Sequence, residues 1–148
     1  MRVAFASDHA GWPLRARVLD ELAAEGHELV DCGSAEPVAG DDYPDAAAAV
    51  ASAITTGRAE RGILVCGSGV GASIAANKVV GIRASMCHDS FSARQGVEDD
   101  NMNILCLGAR VIGVELAVEL VRDFLGARFS GAERHRRRLG KIAAMERR

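Results

Sequence analysis

A glycine-rich turn that begins with a cysteine is the segment of this sequence best suited to chemistry. Residues 66–73 read CGSGVGAS, with glycines at positions 67, 69 and 71. Glycines let the backbone approach a ligand closely, and exposed amides at the start of a helix favour an anion. The same amides would stabilise the thiolate of Cys66, which is the reactive form of the side chain. Cys66 is therefore a candidate general base or nucleophile beside a small anion or oxyanion site.

Two other interpretations of this turn stay open from the local pattern alone. The spacing Gly67-x-Gly69-x-x-Ala72 satisfies a loose dinucleotide-binding fingerprint, which would indicate a nucleotide-binding regulatory domain. That fingerprint belongs to the first strand–helix unit of a fold, whereas this turn follows the third predicted strand. The Walker pattern is missing, because no Gly-Lys-Ser/Thr follows. The turn could also be purely structural.

Short apolar segments alternate with helical patterns along the chain and indicate how this turn is positioned. The predicted strands are 3–6, 28–30, 63–66, 82–87 and 104–107, and the predicted helices are 13–24, 44–56, 73–78, 90–97 and 114–125. Nearly continuous apolar strands between helices predict a parallel sheet covered on both faces. Ligands of such folds gather at the carboxyl ends of the strands. Residues 131–148 carry no strand pattern and are predicted to form a helix or an arm.

Composition and charge restrict the class of protein. The 148 residues are 49% hydrophobic, which predicts one globular domain over 1–148. From residue 134 onward there are seven Lys or Arg and one Glu, a net +6 against −2 for the whole chain, so the first 133 residues carry −8. A basic tail suits nucleic acid, but the acidic body and the 4% aromatic content argue against that partner. No apolar run is long enough to predict a membrane span.

The cysteines and histidines predict a reducing compartment and no metal site. Four cysteines lie in or beside apolar runs without C-x-x-C spacing, and the four histidines are scattered at positions 9, 27, 88 and 135. With no targeting segment at the amino terminus, a cytoplasmic location is expected. Cys32, Cys87 and Cys106 are expected to be ordinary apolar residues.

The wider pattern resembles the ribose-5-phosphate isomerase B family, which includes the galactose-6-phosphate and erythrulose-phosphate isomerases. The matching stretches are GILVCGSGVGASIAANK at 62–78, GIRA at 81–84, SDHAG at 7–11 and DYP at 42–44, with Asn103, Gly108-x-Arg110 and Arg134-His135-x-x-Arg138. The resemblance implies an aldose–ketose isomerase of phosphorylated sugars that needs no cofactor. It also implies a Rossmann-like αβα sandwich with a five-stranded parallel sheet and a C-terminal helical arm. The family works as a homodimer or a dimer of dimers, with the arm reaching the partner's active site.

The resemblance assigns roles to individual residues. Cys66 would move a proton between C1 and C2 of the sugar through an enediolate. Ser68 and the backbone amides of Gly67, Gly69, Val70 and Gly71 would stabilise the developing oxyanion. Residues that would contact the rest of the substrate are Asp8, His9, Tyr43, Asp100, Asn103, Arg110, Arg134 and Arg138. Arg134 and Arg138 are four residues apart, so on a helix they share one face that could hold a phosphate in trans.

One departure from the family pattern concerns the sugar. Family members commonly carry His-Asn shortly before Asn103, and that histidine opens the sugar ring, but Asp99 and Asp100 stand there in this chain. Asp99 could take over the acid–base work, or the substrate could need no ring opening, as with a tetrulose phosphate. The acidic segment could also be a solvated loop. Ribose 5-phosphate is the leading expectation, with erythrulose 4-phosphate and the 6-phosphates of allose or galactose as alternatives.

Overall fold

A computed structural model describes residues 1–146, and Arg147 and Arg148, which the charge count includes in the basic tail, lie outside the described residues. The strands are β1 (Arg2–Ser7), β2 (Glu28–Asp31), β3 (Arg61–Cys66), β4 (Ala84–Met86) and β5 (Ile104–Gly108). The helices are α1 (Trp12–Ala24), α2 (Tyr43–Thr55), α3 (Val70–Ala76), α4 (Ser90–Asp100), α5 (Val114–Gly126) and α6 (Glu133–Met145).

The five strands form one parallel sheet in the order β2-β1-β3-β5-β4. In the centre of the sheet Cys66 of β3 pairs with Gly108 of β5, so both strands end at the same level. This arrangement confirms the predicted αβα architecture with a five-stranded parallel sheet. The helix predicted within 131–148 is also confirmed, as α6.

Alternating residues of the strands supply two separate cores, one on each face of the sheet. Phe5 and Ile63 pack with Phe124 beneath α1, α4 and α5. Their neighbours Ala4 and Leu64 face the other way, beneath α2 and α3. This alternation is what a strand with two covered faces requires, because successive side chains point to opposite sides. The rigid sheet places the carboxyl ends of β1, β3 and β5 next to one another.

The largest differences from the predicted element boundaries are at α3 and α4, while most other ends shift by one or two residues. Helix α3 begins at Val70 instead of 73, because Gly69 adopts a left-handed conformation with φ of 85° and turns the chain directly into the helix. Helix α4 runs on to Asp100, where Asn101 ends it with φ of 47°. No helix among residues 1–146 is long and apolar enough to cross a bilayer.

Arg61, at the start of β3, satisfies the last carbonyl groups of α5. Its guanidinium donates to the carbonyl oxygens of Phe124, Leu125 (3.3 Å) and Ala127 (2.8 Å). It also stacks on the Phe124 ring, with its central carbon 5.3 Å from the ring centroid. Helix-terminal carbonyls otherwise lack partners, so this side chain fastens the end of α5 to the sheet.

Replacing Arg61 with methionine should therefore lower the free energy of unfolding by about 2 kcal/mol, since charge-assisted hydrogen bonds are lost while the apolar stem is kept. Urea unfolding followed by circular dichroism measures the change. Arg58→Met removes an exposed arginine nearby and should change stability by less than about 0.5 kcal/mol. Equal unfolding midpoints for the two variants would contradict this role of Arg61.

Candidate active site

Cys66 ends β3 in the centre of the sheet, with only 5% of its surface exposed. The backbone N–H of Gly69 donates to its Sγ at 3.0 Å. The left-handed conformation of Gly69 makes this bond possible, because it folds the turn back over the sulfur. The sulfur therefore lies at the start of α3, within hydrogen-bond distance of a backbone N–H.

Close packing of three loops fixes the turn that follows Cys66. A Cβ atom on Gly11, in the β1–α1 turn, would lie 2.0 Å from the carbonyl oxygen of Val65. A Cβ atom on Gly108, at the end of β5, would lie 2.5 Å from the carbonyl oxygen of Ser68. Neither position has room for a side chain, so the three strand ends meet backbone to backbone. Cys66 is held in a site that has little freedom to shift.

An open cavity of about 340 Å³ lies over these strand ends. Eight residues expected in the site line it together: Asp8, His9, Tyr43, Cys66, Gly67, Ser68, Gly71 and Arg110. Ala10 and Val111 complete the lining and were not expected. The structure therefore brings eight of the predicted site residues together around one cavity.

Asp8 and Arg110 place opposite charges on the cavity wall. Asp8 is 7% exposed, and its Oδ1 accepts the backbone N–H of Gly11 at 2.9 Å, so it shapes the turn and faces the cavity at once. The backbone N–H of Arg110 donates to the carbonyl oxygen of Gly67 at 3.0 Å. Its guanidinium lies against Gly67, where a Cβ atom would be 3.4 Å from Nη1. A fixed cation therefore adjoins the glycine turn.

Tyr43, the first residue of α2, lays its ring against Gly71 of α3. A Cβ atom on Gly71 would lie 2.6 Å from the ring carbon Cζ, which is closer than atoms in contact can approach. Only glycine at position 71 leaves room for the Tyr43 ring to form this wall of the cavity. No expectation from the sequence had linked these two residues.

Replacing Gly71 with alanine should displace the Tyr43 ring and lower kcat/KM of the reaction proposed below by about 10-fold or more, because small shifts of a site are costly. Thermal unfolding should change little, since alanine favours the helix while the clash opposes it. Gly126→Ala adds the same methyl group at the end of α5, where no atom of residues 1–146 lies within 4 Å, and should leave kcat/KM unchanged. A Gly71→Ala enzyme with normal kcat/KM would show that the ring does not shape the site.

Two expected residues belong to the turn without lining the cavity. Gly69 contributes its N–H to Cys66 as described, and Val70 donates its N–H to the Ser68 hydroxyl at 3.3 Å. The Val70 side chain is 47% exposed. Both residues therefore contribute backbone N–H groups to the turn, and the Val70 side chain is not used.

Five further expected residues are not brought to this cavity within one chain: Asp99, Asp100, Asn103, Arg134 and Arg138. Asn103 precedes β5, at the end of the sheet opposite Gly108. Its side chain accepts the N–H of Arg83 at 2.8 Å and donates to the carbonyl oxygen of Gly81 at 2.9 Å. These contacts hold the chain before β4, so within the chain Asn103 is a structural residue.

A buried histidine, His135, contacts both Asp99 near the end of α4 and Arg134 near the start of α6. His135 is 2% exposed, and its Nδ1 lies 3.2 Å from Oδ1 of Asp99. The Nε of Arg134 donates to Nε2 of His135 at 2.8 Å, and Gln95 donates to Oδ2 of Asp99 at 2.7 Å. Asp100 lines a second cavity of about 720 Å³ between β4, α4 and α6. Asp99 is thus held by specific partners and does not belong to a freely solvated loop.

Asp41 is a residue of this region that no sequence signal indicated. Its Oδ1 accepts both the backbone N–H of His9 at 2.9 Å and the ring Nδ1 of His9 at 2.7 Å. Burial raises the pKa of Asp41, but the hydrogen bonds from His9 outweigh it, and the pKa lies below its usual value. The two residues are 32 positions apart, so spacing along the chain gives no hint of the pair.

Residues 1–146 contain no group of three or more His, Cys, Asp or Glu side chains able to hold a metal ion. The cysteines expected to be inert are free thiols away from the cavity. Cys87 and Cys106 are buried, and burial raises the pKa of both. Cys32 is half-buried, with its pKa also raised by burial. A raised pKa favours the unreactive thiol form, so Cys32, Cys87 and Cys106 are not activated as nucleophiles.

Comparison with known proteins decides the family. The sequence model of the Ribose/Galactose Isomerase family matches residues 3–142. The chain belongs to that family. It is 42% identical to the ribose-5-phosphate isomerase B of Escherichia coli, over 99% of this chain and 97% of that protein. The D-erythrulose-4-phosphate isomerase of Pectobacterium atrosepticum is 41% identical over 88% and 86% of the two chains.

Solved structures of this family confirm the fold. The ribose-5-phosphate isomerase B of Clostridium thermocellum superposes with a TM-score of 0.94 at 44% identity, covering 99% of this chain and 97% of that one. The Mycoplasma genitalium protein of the same name, solved with bound ribulose 5-phosphate, gives 0.92 at 38% identity over 98% and 95%. The resemblance drawn from the glycine turn and its companion motifs is thereby confirmed at the level of family and architecture.

Proposed function

We propose that this chain is an aldose–ketose isomerase that interconverts ribose 5-phosphate and ribulose 5-phosphate through an enediolate. The observation that carries the proposal is the cavity that Asp8, His9 and Arg110 line together with Cys66, whose sulfur accepts the backbone N–H of Gly69. It unites a base for a carbon acid with hydroxyl-binding and anion-binding groups. Relatives and neighbours named for this reaction over nearly the whole chain support it.

The chemistry follows from these groups. The Cys66 thiolate removes the proton from C2 of the aldose, and the electrons of that bond form the enediolate. The Ser68 hydroxyl and the turn amides stabilise the negative charge on oxygen, a contribution of about 3 kcal/mol for a well-placed donor. The Cys66 thiol then returns a proton to C1, while a proton moves from O2 to O1. The ketose leaves with the thiolate restored.

The positions of the arginines support a phosphate site shared between two copies of the chain. Arg110 is the guanidinium that lines the cavity, whereas Arg134 and Arg138 are exposed on α6, four residues apart. Two such groups on one helical face suit a phosphate dianion. We propose that a second copy of the chain brings its arm to this cavity, in a homodimer or a dimer of dimers. The +6 arm against a −8 body favours that contact.

Asp99 of α4 would reach the shared site beside the arm. His135 of the arm contacts both Asp99 and Arg134, so the three side chains lie together. We propose that Asp99 of the partner, held by His135 and Gln95, takes the ring-opening role of the histidine usual in the family. Asp100 would follow it into the shared site.

A tetrose phosphate is the second candidate substrate. The observation that favours it is that Asp99 stands where family members commonly carry the ring-opening histidine. A tetrulose 4-phosphate cannot close a furanose ring, so an enzyme acting on it needs no ring-opening histidine. A relative named D-erythrulose-4-phosphate isomerase is 41% identical to this chain.

A substrate screen tests both candidates. The 4-phosphate of erythrose, the 5-phosphate of ribose and the 6-phosphates of allose and galactose are incubated with the protein, and the ketose is measured. We expect the highest kcat/KM with ribose 5-phosphate. A kcat/KM at least 10-fold higher with erythrose 4-phosphate would establish the second candidate. Saturable binding of ATP or NAD with no turnover of any sugar phosphate would favour a nucleotide-binding domain instead.

We expect the reaction to need no metal and no cofactor, since a thiolate and backbone amides supply the base and the oxyanion site. Dialysis against a chelator should leave kcat with ribose 5-phosphate unchanged within experimental error. A loss of activity that Mg²⁺ or Zn²⁺ restores would contradict this. We also propose a cytoplasmic location, which the four free cysteines support.

A further inference from the structure

We propose that Asp41 is a positioning residue that sets the orientation and tautomer of His9, so that Nε2 of the imidazole is presented to the phosphorylated substrate. This inference rests on the proposed function and adds a residue to that site. Asp41 does not line the cavity itself. It acts through the side chain that does.

The hydrogen-bond geometry is the first support. One carboxylate oxygen, Oδ1 of Asp41, accepts two hydrogen bonds from the same residue, one from the backbone and one from the ring of His9. At 2.9 and 2.7 Å both are of good length. Together they fix the ring relative to its own backbone. The His9 side chain is 43% exposed, so packing alone does not immobilise it.

The chemistry of the pair is the second support. An ionised carboxylate can only accept hydrogen bonds, so the proton between the two residues belongs to Nδ1 of His9. Nε2 is then the ring's remaining polar atom, and His9 lines the cavity together with Arg110. With the proton on Nδ1, Nε2 of the neutral ring accepts a hydrogen bond from a substrate hydroxyl, whereas Nε2–H of a protonated ring donates to a phosphate oxygen. His9 and Arg110 would thus both contact the substrate from one chain.

The place of Asp41 in the fold is the third support. It lies in the segment between β2 and α2, which has no strand or helix, two residues before Tyr43. The pair therefore ties the start of α2 to the turn after β1. These are the two walls of the cavity that carry Tyr43 on one side and Asp8 and His9 on the other. Fixing His9 also steadies the entrance of α2.

Kinetics of Asp41 variants test the inference. Asp41→Ala should raise KM for ribose 5-phosphate about 10-fold, with kcat within about twofold of wild type, because binding is affected and the Cys66 base is not. Asp41→Asn keeps an acceptor oxygen, so its KM should lie between the KM values of wild type and Asp41→Ala. Asp45→Asn removes an exposed carboxylate four residues away and should leave KM unchanged. A KM of Asp41→Ala within twofold of wild type would overturn the role of Asp41.

A double-variant comparison shows whether Asp41 acts through His9. If it does, adding Asp41→Ala to His9→Ala should raise KM no further. Independent effects that multiply in the double variant would mean that Asp41 has a separate, merely structural role.

Nitrogen-15 NMR of the unliganded protein provides a readout without substrate. Neutral His9 should carry its proton on Nδ1 in the wild type and on Nε2 in Asp41→Ala. This shift would support the positioning role even if the screen found no sugar-phosphate isomerase activity, which would refute the proposed function alone. An unchanged tautomer would overturn the inference even in a fully active isomerase.

Discussion

Replacing Cys66 with alanine should lower kcat for ribose 5-phosphate by about 1,000-fold or more, with KM little changed. A positioned general base contributes about 10² to 10⁴ in rate, and the described residues that line the cavity include no second thiol that could replace it. The phosphate-binding and hydroxyl-binding residues stay in place, so the substrate should still bind. Formation of ribulose 5-phosphate, followed by a coupled or colorimetric assay, measures the loss.

Two further variants test whether the loss of activity comes from the thiolate of Cys66. Cys66→Ser keeps the shape of the side chain and an acceptor for the Gly69 N–H, but a hydroxyl is much harder to ionise than a thiol. It should be nearly as inactive as the alanine variant. Cys32→Ala removes a half-buried thiol from the end of β2, outside the cavity, and should retain wild-type kcat. Near-normal turnover by Cys66→Ala would remove the base from the proposed mechanism.

Replacing both Arg134 and Arg138 with alanine should raise KM for ribose 5-phosphate about 100-fold, while kcat changes far less. Each charge-assisted contact to a phosphate is worth roughly 10-fold or more in affinity. The isomerisation at C1 and C2 is remote from the phosphate, so the chemical step is less affected. Steady-state kinetics separate the two parameters.

The control for this pair comes from the same helix. Arg137→Ala removes an exposed charge from α6 and should leave KM within about twofold. Because Arg134 also donates to His135, Arg138→Ala alone is the cleaner single variant. An unchanged KM in the double variant would show that the arm does not contact the phosphate.

Mixing Cys66→Ala with the double arginine variant tests whether the arm acts on a second copy. The assay uses ribose 5-phosphate near the wild-type KM, where each variant alone should be nearly inactive. In a dimer with shared sites, subunits of Cys66→Ala and of the double arginine variant should together form one intact site per mixed dimer. Random exchange should restore about a quarter of wild-type activity. Activity equal to the sum of the two separate variants would place the arm in its own subunit's site or in none.

The fold was largely predictable because its strands are short, apolar and covered on both faces. Segments such as 63–66 and 104–107 have no other stable location than the middle of a sheet. The start of α3 was placed three residues late, since its position depends on the left-handed Gly69, a conformation that many glycines never adopt. The end of α4 was missed because its last turn, Glu98–Asp100, is polar and carries no apolar periodicity.

The grouping of the candidate site residues was predictable where these residues follow strand ends in local motifs. Cys66, Asp8 and Arg110 each end or follow a strand, and parallel strands bring such positions together. The Asp41–His9 and Asp99–His135 pairs were not predictable, because each joins residues more than 30 positions apart through tertiary packing. The Tyr43–Gly71 contact depends likewise on how α2 and α3 meet.

Proton exchange at C2 of ribose 5-phosphate in D₂O is the measurement that bears most directly on Cys66 as the group that moves the proton. Proton NMR follows the C2 signal, which an enediolate intermediate allows to exchange with solvent. The wild-type protein should exchange this proton at a rate comparable to turnover, and Cys66→Ala should exchange it no faster than buffer alone. Undiminished exchange with Cys66→Ala would contradict the mechanism.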